Sequence, residues 1–223
     1  MTIQGITEND ISNYLLNTPG FFERHAELLA TVQLTSPHGQ RAVSLQERQM
    51  EMLRERIKGL EHKIIEMIRN GQDNVAIAER LHQWTLCLLL VGDPAELPQV
   101  LLDDLKQRFQ IPQASLRLWG VAEAFAVLPA AQPVSDDLKA FASSLTLPYC
   151  GANAGFEASS WFDAGAGVLS MAMVPLRLPG ALDANGLLVL GSPDPTRYAA
   201  QMGTDFLSRI GEVASASLSR LLS

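Results

Sequence analysis

From Val43 to Met67 the apolar residues recur at the spacing of a helix that lies against another helix. Val43, Met50, Ile57 and Ile64 fall seven apart, and Gln46, Leu53, Leu60 and Met67 repeat the spacing three residues later. These are the a and d positions of a coiled coil, and a mostly β-branched a set with leucine-centred d positions favours two parallel strands. Ser44 and Glu47 are placed as a capping box for the first turn, each satisfying a backbone N–H of the other's residue. In a parallel pair Arg56, at g, faces Glu61, at e, of the second copy. Such an exposed pair contributes roughly 0.2–1 kcal/mol and so biases orientation without driving association. Gly59, on the outer face, costs about 1 kcal/mol relative to alanine. The seam Val43, Met50, Leu53, Ile57, Leu60, Ile64 and Met67 must carry the helix, and the expected assembly is a homodimer.

The heptad fails at Gly71 and Asn74. A second stripe then runs Ile77, Leu81, Trp84, Leu88, Val91 at spacings of four and three, so one continuous helix is the expectation. Before it, Thr7 and Asp10 begin a short helix that Pro19 ends, and "GFFERHAELLATVQL" reads as a second, with Phe21, Phe22, Leu28 and Leu29 on its apolar face. Pro37 and Gly39 break the chain. After it, Asp93, Pro94 and Glu96 cap a helix reaching Phe109, with Leu97, Leu101 and Leu105 inward.

From Ser115 the period becomes two. Leu116 and Leu118 share one face of "SLRLWG", Arg117 and Trp119 the other. "AFAVL" reads as a second strand, Ser135 caps a short helix to about Leu145, and the glycine- and alanine-rich "YCGANAGFEASSWFDAGAG" reads as a loop with at most a short helix. Strands follow at Leu169–Leu178 and Leu187–Leu190. A last helix runs from Tyr198 to Leu222, with Leu207, Ile210, Ala214, Leu218 and Leu221 on one side. Strands gathered between helices describe an α+β domain, an antiparallel sheet flanked by helices. The expected organisation is an N-terminal helical segment (1–40), a long helix with the seam (41–91), and a domain ending in a C-terminal helix (92–223). In the strand Met171–Leu176 both faces are apolar, so it is central and covered on both sides.

Charge narrows the partners. From Gly92 onward 8 Lys/Arg stand against 13 Asp/Glu, so no nucleic-acid surface is expected there. Arg41 to Arg69 holds 7 Lys/Arg against 5 Glu, mixed in sign as on a solvated helix face. No apolar run approaches the ~18 residues of a membrane span, and the N-terminus lacks the basic-then-apolar pattern of a signal peptide. A cytoplasmic protein with no membrane partner is the expectation.

No catalytic pattern emerges. His25, His38, His62 and His82 are scattered, with no two at the helical spacing of zinc ligands. Gly165–Ser170 precedes a strand, unlike a phosphate loop, and there is no G-x-S-x-G elbow. Asp103–Asp104 and Asp136–Asp137 are adjacent in helices and point apart. No metal, cofactor or catalytic residue is expected.

Ser170 to Leu176 reads S-x-x-x-V-P-L and Gly186 to Leu190 reads G-x-L-x-L. This pair resembles the strands of GAF domains, within the GAF/PAS group of sensors. "TPGFFERHAELLATVQL", "AVSLQERQMEMLRER", "YCG", "VPLRLPGALDANGLLVLGSPDPTRY" and "MGTDFLSRIGEVASASLSRLL" resemble the bacterial DUF484 family, proteins of uncharacterised function with a GAF-like domain. The resemblance implies a GAF-like fold and a dimeric habit but no chemistry. It departs from the specialised GAF proteins. Methionine-sulfoxide reductases act through several cysteines, whereas only Cys150 lies in the loop region. Bilin binders attach the chromophore to a cysteine followed by histidine, whereas Gly151 follows Cys150. The Asn-Lys-x-x-Phe pattern of cyclic-nucleotide binders is absent.

On the ligand side that such domains share, the resemblance places Trp119, Tyr149, Cys150, Trp161, Phe162, Met171 and Met173, with Arg117 beside Trp119 to hold an anion. These residues form either an adaptable apolar pocket or plain core. The function expected is a non-enzymatic homodimeric sensor or adaptor that takes a small-molecule ligand and signals through its helices to a separate protein partner. Two alternatives stand beside it: an enzyme using Cys150 with a carboxylate such as Glu157, and a structural scaffold with a filled core.

Overall fold

The computed structural model describes residues 5–31, 33–35, 42–162, 167–178, 180–200 and 203–222, with no account of side chains at 29–46. The chain divides into two compact units, Met1–Asp73 and Asn74–Ser223.

In the first unit, α1 (Glu8–Asn17) opens on the expected box. Thr7 Oγ1 accepts from the Asp10 N–H at 3.2 Å, while an Asp10 carboxylate oxygen accepts from the Thr7 N–H at 2.8 Å. The expected second helix is two short ones, α2 (Phe21–Arg24) and α3 (Ala26–Thr31), because His25 leaves helical geometry at φ −123°, ψ 46°. Its ring instead lies 4.7 Å from that of Phe21. Val32 lies outside the described residues, and Gln33 and Leu34 do not extend the helix. They belong to β1 (Gln33–Thr35), which pairs antiparallel with β2 (Ala42–Ser44), Leu34 opposite Val43. The break at Pro37 and Gly39 lies outside the described residues, as do the side chains of Leu29, Val43 and Gln46 and the Ser44 half of the capping box. Helix α4 (Leu45–Leu90) begins immediately after Ser44 and includes Gly71 without interruption.

The second unit is built on one sheet. Asp93 accepts from the Ala95 N–H at 2.9 Å and starts a 3-10 turn at Pro94–Glu96, from which α5 (Leu97–Phe109) follows. Strand β3 (Gln113–Leu118) comes next, then α6 (Asp136–Ser144), β4 (Tyr149–Ala152), β5 (Ser170–Leu176), β6 (Gly186–Ser192) and α7 (Asp205–Leu218). The strands lie in the order β3-β6-β5-β4, all neighbours antiparallel. This is the expected α+β arrangement, an antiparallel sheet flanked by helices.

Three expectations are corrected. "AFAVL" is not a strand: Glu123–Phe125 is a 3-10 turn, which brings Phe125 and Leu128, three apart, onto the core while Val127 stays exposed. "YCGA", read as loop, is the edge strand β4. Its composition hides it, because Gly151 is there for room: a Cβ would lie 2.5 Å from the hydroxyl oxygen of Tyr149, whose ring folds over it. The final helix begins at Asp205 instead of Tyr198, and Tyr198 is buried in the core. Its inward face is as expected, Leu207, Ile210, Ala214 and Leu218 being buried, but the helix ends at Leu218 and Leu221, also buried, sits in the 3-10 turn Ser219–Leu221 that follows.

Strands β5 and β6 are covered on both sides because their alternation feeds two layers. Ala172, Val174, Leu176, Leu188 and Leu190 join Trp84 and Leu88 of α4 with α5 and α7, and Met171, Met173, Leu187 and Val189 join Leu138 and Ala142 of α6. Helix α7 approaches β5 closely at Gly211, where a Cβ would meet Val174 Cγ1 at 2.7 Å. Cys87, in the apolar run near the end of α4, is half-buried. Among the described residues no helix is long and apolar enough to cross a membrane.

Helix α6 lacks a basic residue in its last turn, and Arg177, just past β5, supplies one from afar. One guanidinium nitrogen donates to the carbonyls of Ala142, Ser143 and Leu145 at 3.1, 2.9 and 2.7 Å, the groups a helix end leaves unpaired. Arg177→Ala is expected to lower the unfolding free energy by about 2–3 kcal/mol, the scale of charged hydrogen bonds and the carbonyls they leave orphaned. Arg177→Lys should recover less than half of it, because an ammonium lacks the planar fork. Urea unfolding midpoints check both values, and an unchanged midpoint for Arg177→Ala would remove the cap from the account.

Candidate functional site

The sheet face away from α5 and α7 holds the residues picked out as a ligand surface. Register explains who arrives there. Tyr149 stands opposite Met173, and Met173 opposite Val189, so the three side chains share a face, while Met171 lies two residues along β5. Trp119, Tyr149, Trp161 and Phe162 pack partly buried against this layer, and Met171 and Met173 are wholly buried within it. Phe162 lies over the backbone of Gly191, its ring 2.9 Å from where a Cβ would sit.

Cys150 is not among them. Opposite Ala172, it points through the sheet into the helix-side core. Burial pushes its thiol pKa up, which opposes formation of the thiolate that nucleophilic chemistry needs. Glu157 is engaged elsewhere: its carboxylate accepts from the Ser135 N–H at 3.2 Å and from the Ser135 hydroxyl, while that hydroxyl caps α6 by accepting from the Leu138 N–H. The chain therefore does not bring together the cysteine and carboxylate of the enzymatic alternative.

Arg117 sits at the rim. Its guanidinium lies over the Trp161 ring, 5.1 Å from the centroid, and donates to the Leu116 carbonyl and to Gln132 Oε1, each at 3.0 Å. Burial draws its pKa down from the usual arginine value, yet it remains a cation. Trp119 is fixed by its indole N–H, which donates to the Ala184 carbonyl at 2.5 Å. Beside them a cleft of about 270 Å³ is lined by Trp119, Val121, Gln132, Pro133, Val134 and Lys139 among others. Gln132 both lines the cleft and holds Arg117. The sequence offered no signal for it, because it lies in an irregular segment after a 3-10 turn. The arrangement offers aromatic faces and one cation at a partly open rim, with a closed apolar layer behind.

The acidic pairs serve their own helices. Asp104 bonds Arg108 at 2.5 Å, Asp103 pairs with Lys106 at 3.0 Å, and Asp136 with Lys139 at 2.7 Å. Among the described residues no three His, Cys, Asp or Glu side chains gather as a metal site requires.

No curated protein matches the chain. Solved structures similar to it include the GAF domain of an Acinetobacter phosphoenolpyruvate-protein phosphotransferase (11% identity, 64% of this chain, 92% of that one, TM-score 0.45). Another is the GAF domain of the potassium sensor histidine kinase KdpD of Escherichia coli (16%, 65% and 94%, TM-score 0.42). A third is the free methionine-R-sulfoxide reductase of Neisseria meningitidis in complex with its substrate (15%, 64% and 88%, TM-score 0.43). The family model "Protein of unknown function, DUF484" matches residues 1–223, from the first helices through the sheet to the last, and the chain belongs to that family.

Proposed function

We propose that the chain is a non-enzymatic homodimeric regulatory module, a sensor or adaptor that pairs through α4 and passes a change at its second sheet face to a separate protein. One observation carries the reading. Met50, Leu53, Ile57, Leu60, Ile64 and Met67 recur at a and d along α4, and each is more than half exposed. A run of large apolar side chains left in water is unfavourable unless a partner covers it. The occupant of that stripe is a second copy in parallel, because a and d then meet their like and Arg56 meets Glu61 across the seam. The burial of Cys150 on the face opposite the aromatic residues supports a role other than catalysis.

A small ligand would bind at the rim formed by Arg117, Trp119 and Trp161. Its contacts there would compete with the hydrogen bond that Arg117 donates to Gln132 Oε1 and so shift the segment that carries Gln132. A second reading has support of its own: Met171, Met173, Leu187 and Val189 are wholly buried, as in a scaffold with a filled core. Native mass spectrometry of freshly purified protein, followed by the same sample denatured, separates these readings. The expected result is twice the chain mass plus a small non-covalent mass. A bare dimer whose melting temperature no small molecule raises favours the scaffold, and a monomer overturns the proposal.

A further inference from the structure

We infer that the pairing surface does not stop where the heptad fails at Gly71, but continues into the second unit in steps of eleven residues, as far as Leu90. The inference rests on the homodimer reading and adds its reach and register. In the second unit α4 has two faces. Trp84 and Leu88 are wholly buried against α5 and α7, and Leu81 packs beside them. Val75, Leu86, Leu89 and Leu90 are 71%, 40%, 71% and 86% exposed.

Their spacing is not accidental to the seam. Val75 and Leu86 follow Ile64 by successive steps of eleven. Ala78 and Leu89 follow Met67 in the same way. A heptad interrupted by four extra residues has this form, and an eleven-residue step, ~3.67 residues per turn, locally unwinds the supercoil.

Burial decides between the two continuations. An unbroken heptad from Ile64 and Met67 would use Gly71, Asn74, Ala78, Leu81, Thr85 and Leu88. Leu88 is 1% exposed and Leu81 packs on the same core, so neither is available to a second copy. The eleven-residue continuation instead uses side chains that the domain leaves in water. Gly71, Glu79 and His82 fall on this face as well, a weak and polar stretch between two apolar ones, of the kind that fixes register at a cost in stability. The occupant is the second copy already paired along Met50–Met67, because the same phase of the same helix supplies both stretches.

Cysteine cross-linking of the full chain tests this, in a Cys87→Ser background that leaves the buried Cys150 in place. Leu53→Cys, Val75→Cys, Leu86→Cys and Asn74→Cys are each oxidised mildly and resolved without reductant. Val75→Cys and Leu86→Cys should form dimers about tenfold faster than Asn74→Cys, since a disulfide needs Cβ atoms within roughly 3.5–4.5 Å. Cross-linking at Leu53→Cys without Val75→Cys or Leu86→Cys overturns the extension and leaves the seam standing. Faster reaction at Asn74→Cys than at Val75→Cys restores the heptad and overturns it too. If no variant cross-links and each has the mass of one chain, the homodimer itself is wrong.

Discussion

Trp84→Ala is expected to lower the unfolding free energy of the domain by about 3–5 kcal/mol, the range for truncating a buried large aromatic. The side chain is wholly inaccessible, and its indole N–H donates to the Leu101 carbonyl at 3.3 Å. It stands where the end of α4 meets α5, among Leu88, Leu97, Leu101 and Leu105. Alanine removes the packing and leaves a cavity, and its better helix propensity returns only ~0.5 kcal/mol. Trp84→Phe keeps most of the volume and loses the hydrogen bond, so a loss of about 1–2 kcal/mol is expected. Denaturant unfolding measures both, and the slope of the transition should stay constant. A loss below about 1 kcal/mol for Trp84→Ala, the ordinary size of a point-mutant effect, would mean that the end of α4 is not part of this core.

The second large effect is on mass. Leu53→Asp with Leu60→Asp should convert a dimer to a monomer, because the pair would place four carboxylates per dimer in an apolar seam, where an unpaired charge is strongly disfavoured. Both leucines are more than half exposed in the single chain, 59% and 53%, so the isolated fold has little to lose from the change. Met52→Asp serves as the control: Met52 is half exposed but lies at neither a nor d, and its mass should not change. Light scattering reads all three proteins. A double variant that still has twice the chain mass would dismiss the parallel seam, whereas loss of dimer in Met52→Asp as well would show a different face in use.

Local signals read the helices well. Thr7 with Asp10, and Ser135 before Leu138, form the hydrogen bonds that their spacing implies, because a cap is a contact within four residues. Both faces of the strand from Ser170 are buried as its apolar runs require. Legibility failed where tertiary contacts decide. Tyr149–Ala152 has one strand former, Tyr149, beside glycine and alanine, and is held by pairing with β5; without that strand the alternation of Tyr149 and Cys150 could not be seen. The sequence therefore places Cys150 with residues that lie on the other side of the sheet. Arg177 and Gln132 were missed for the same reason: their partners, the end of α6 and Arg117, lie far away in sequence.

The alternation along β6 turns the sheet into a partition with a reporter on each side. Leu187 and Val189 look into the α6 layer, and Leu188 and Leu190 into the layer of α4, α5 and α7. Methyl resonances from consecutive residues thus listen to separate compartments one peptide unit apart. A stimulus confined to one compartment would register in alternate methyls only, and one transmitted between them would have to displace the strand backbone and move all four.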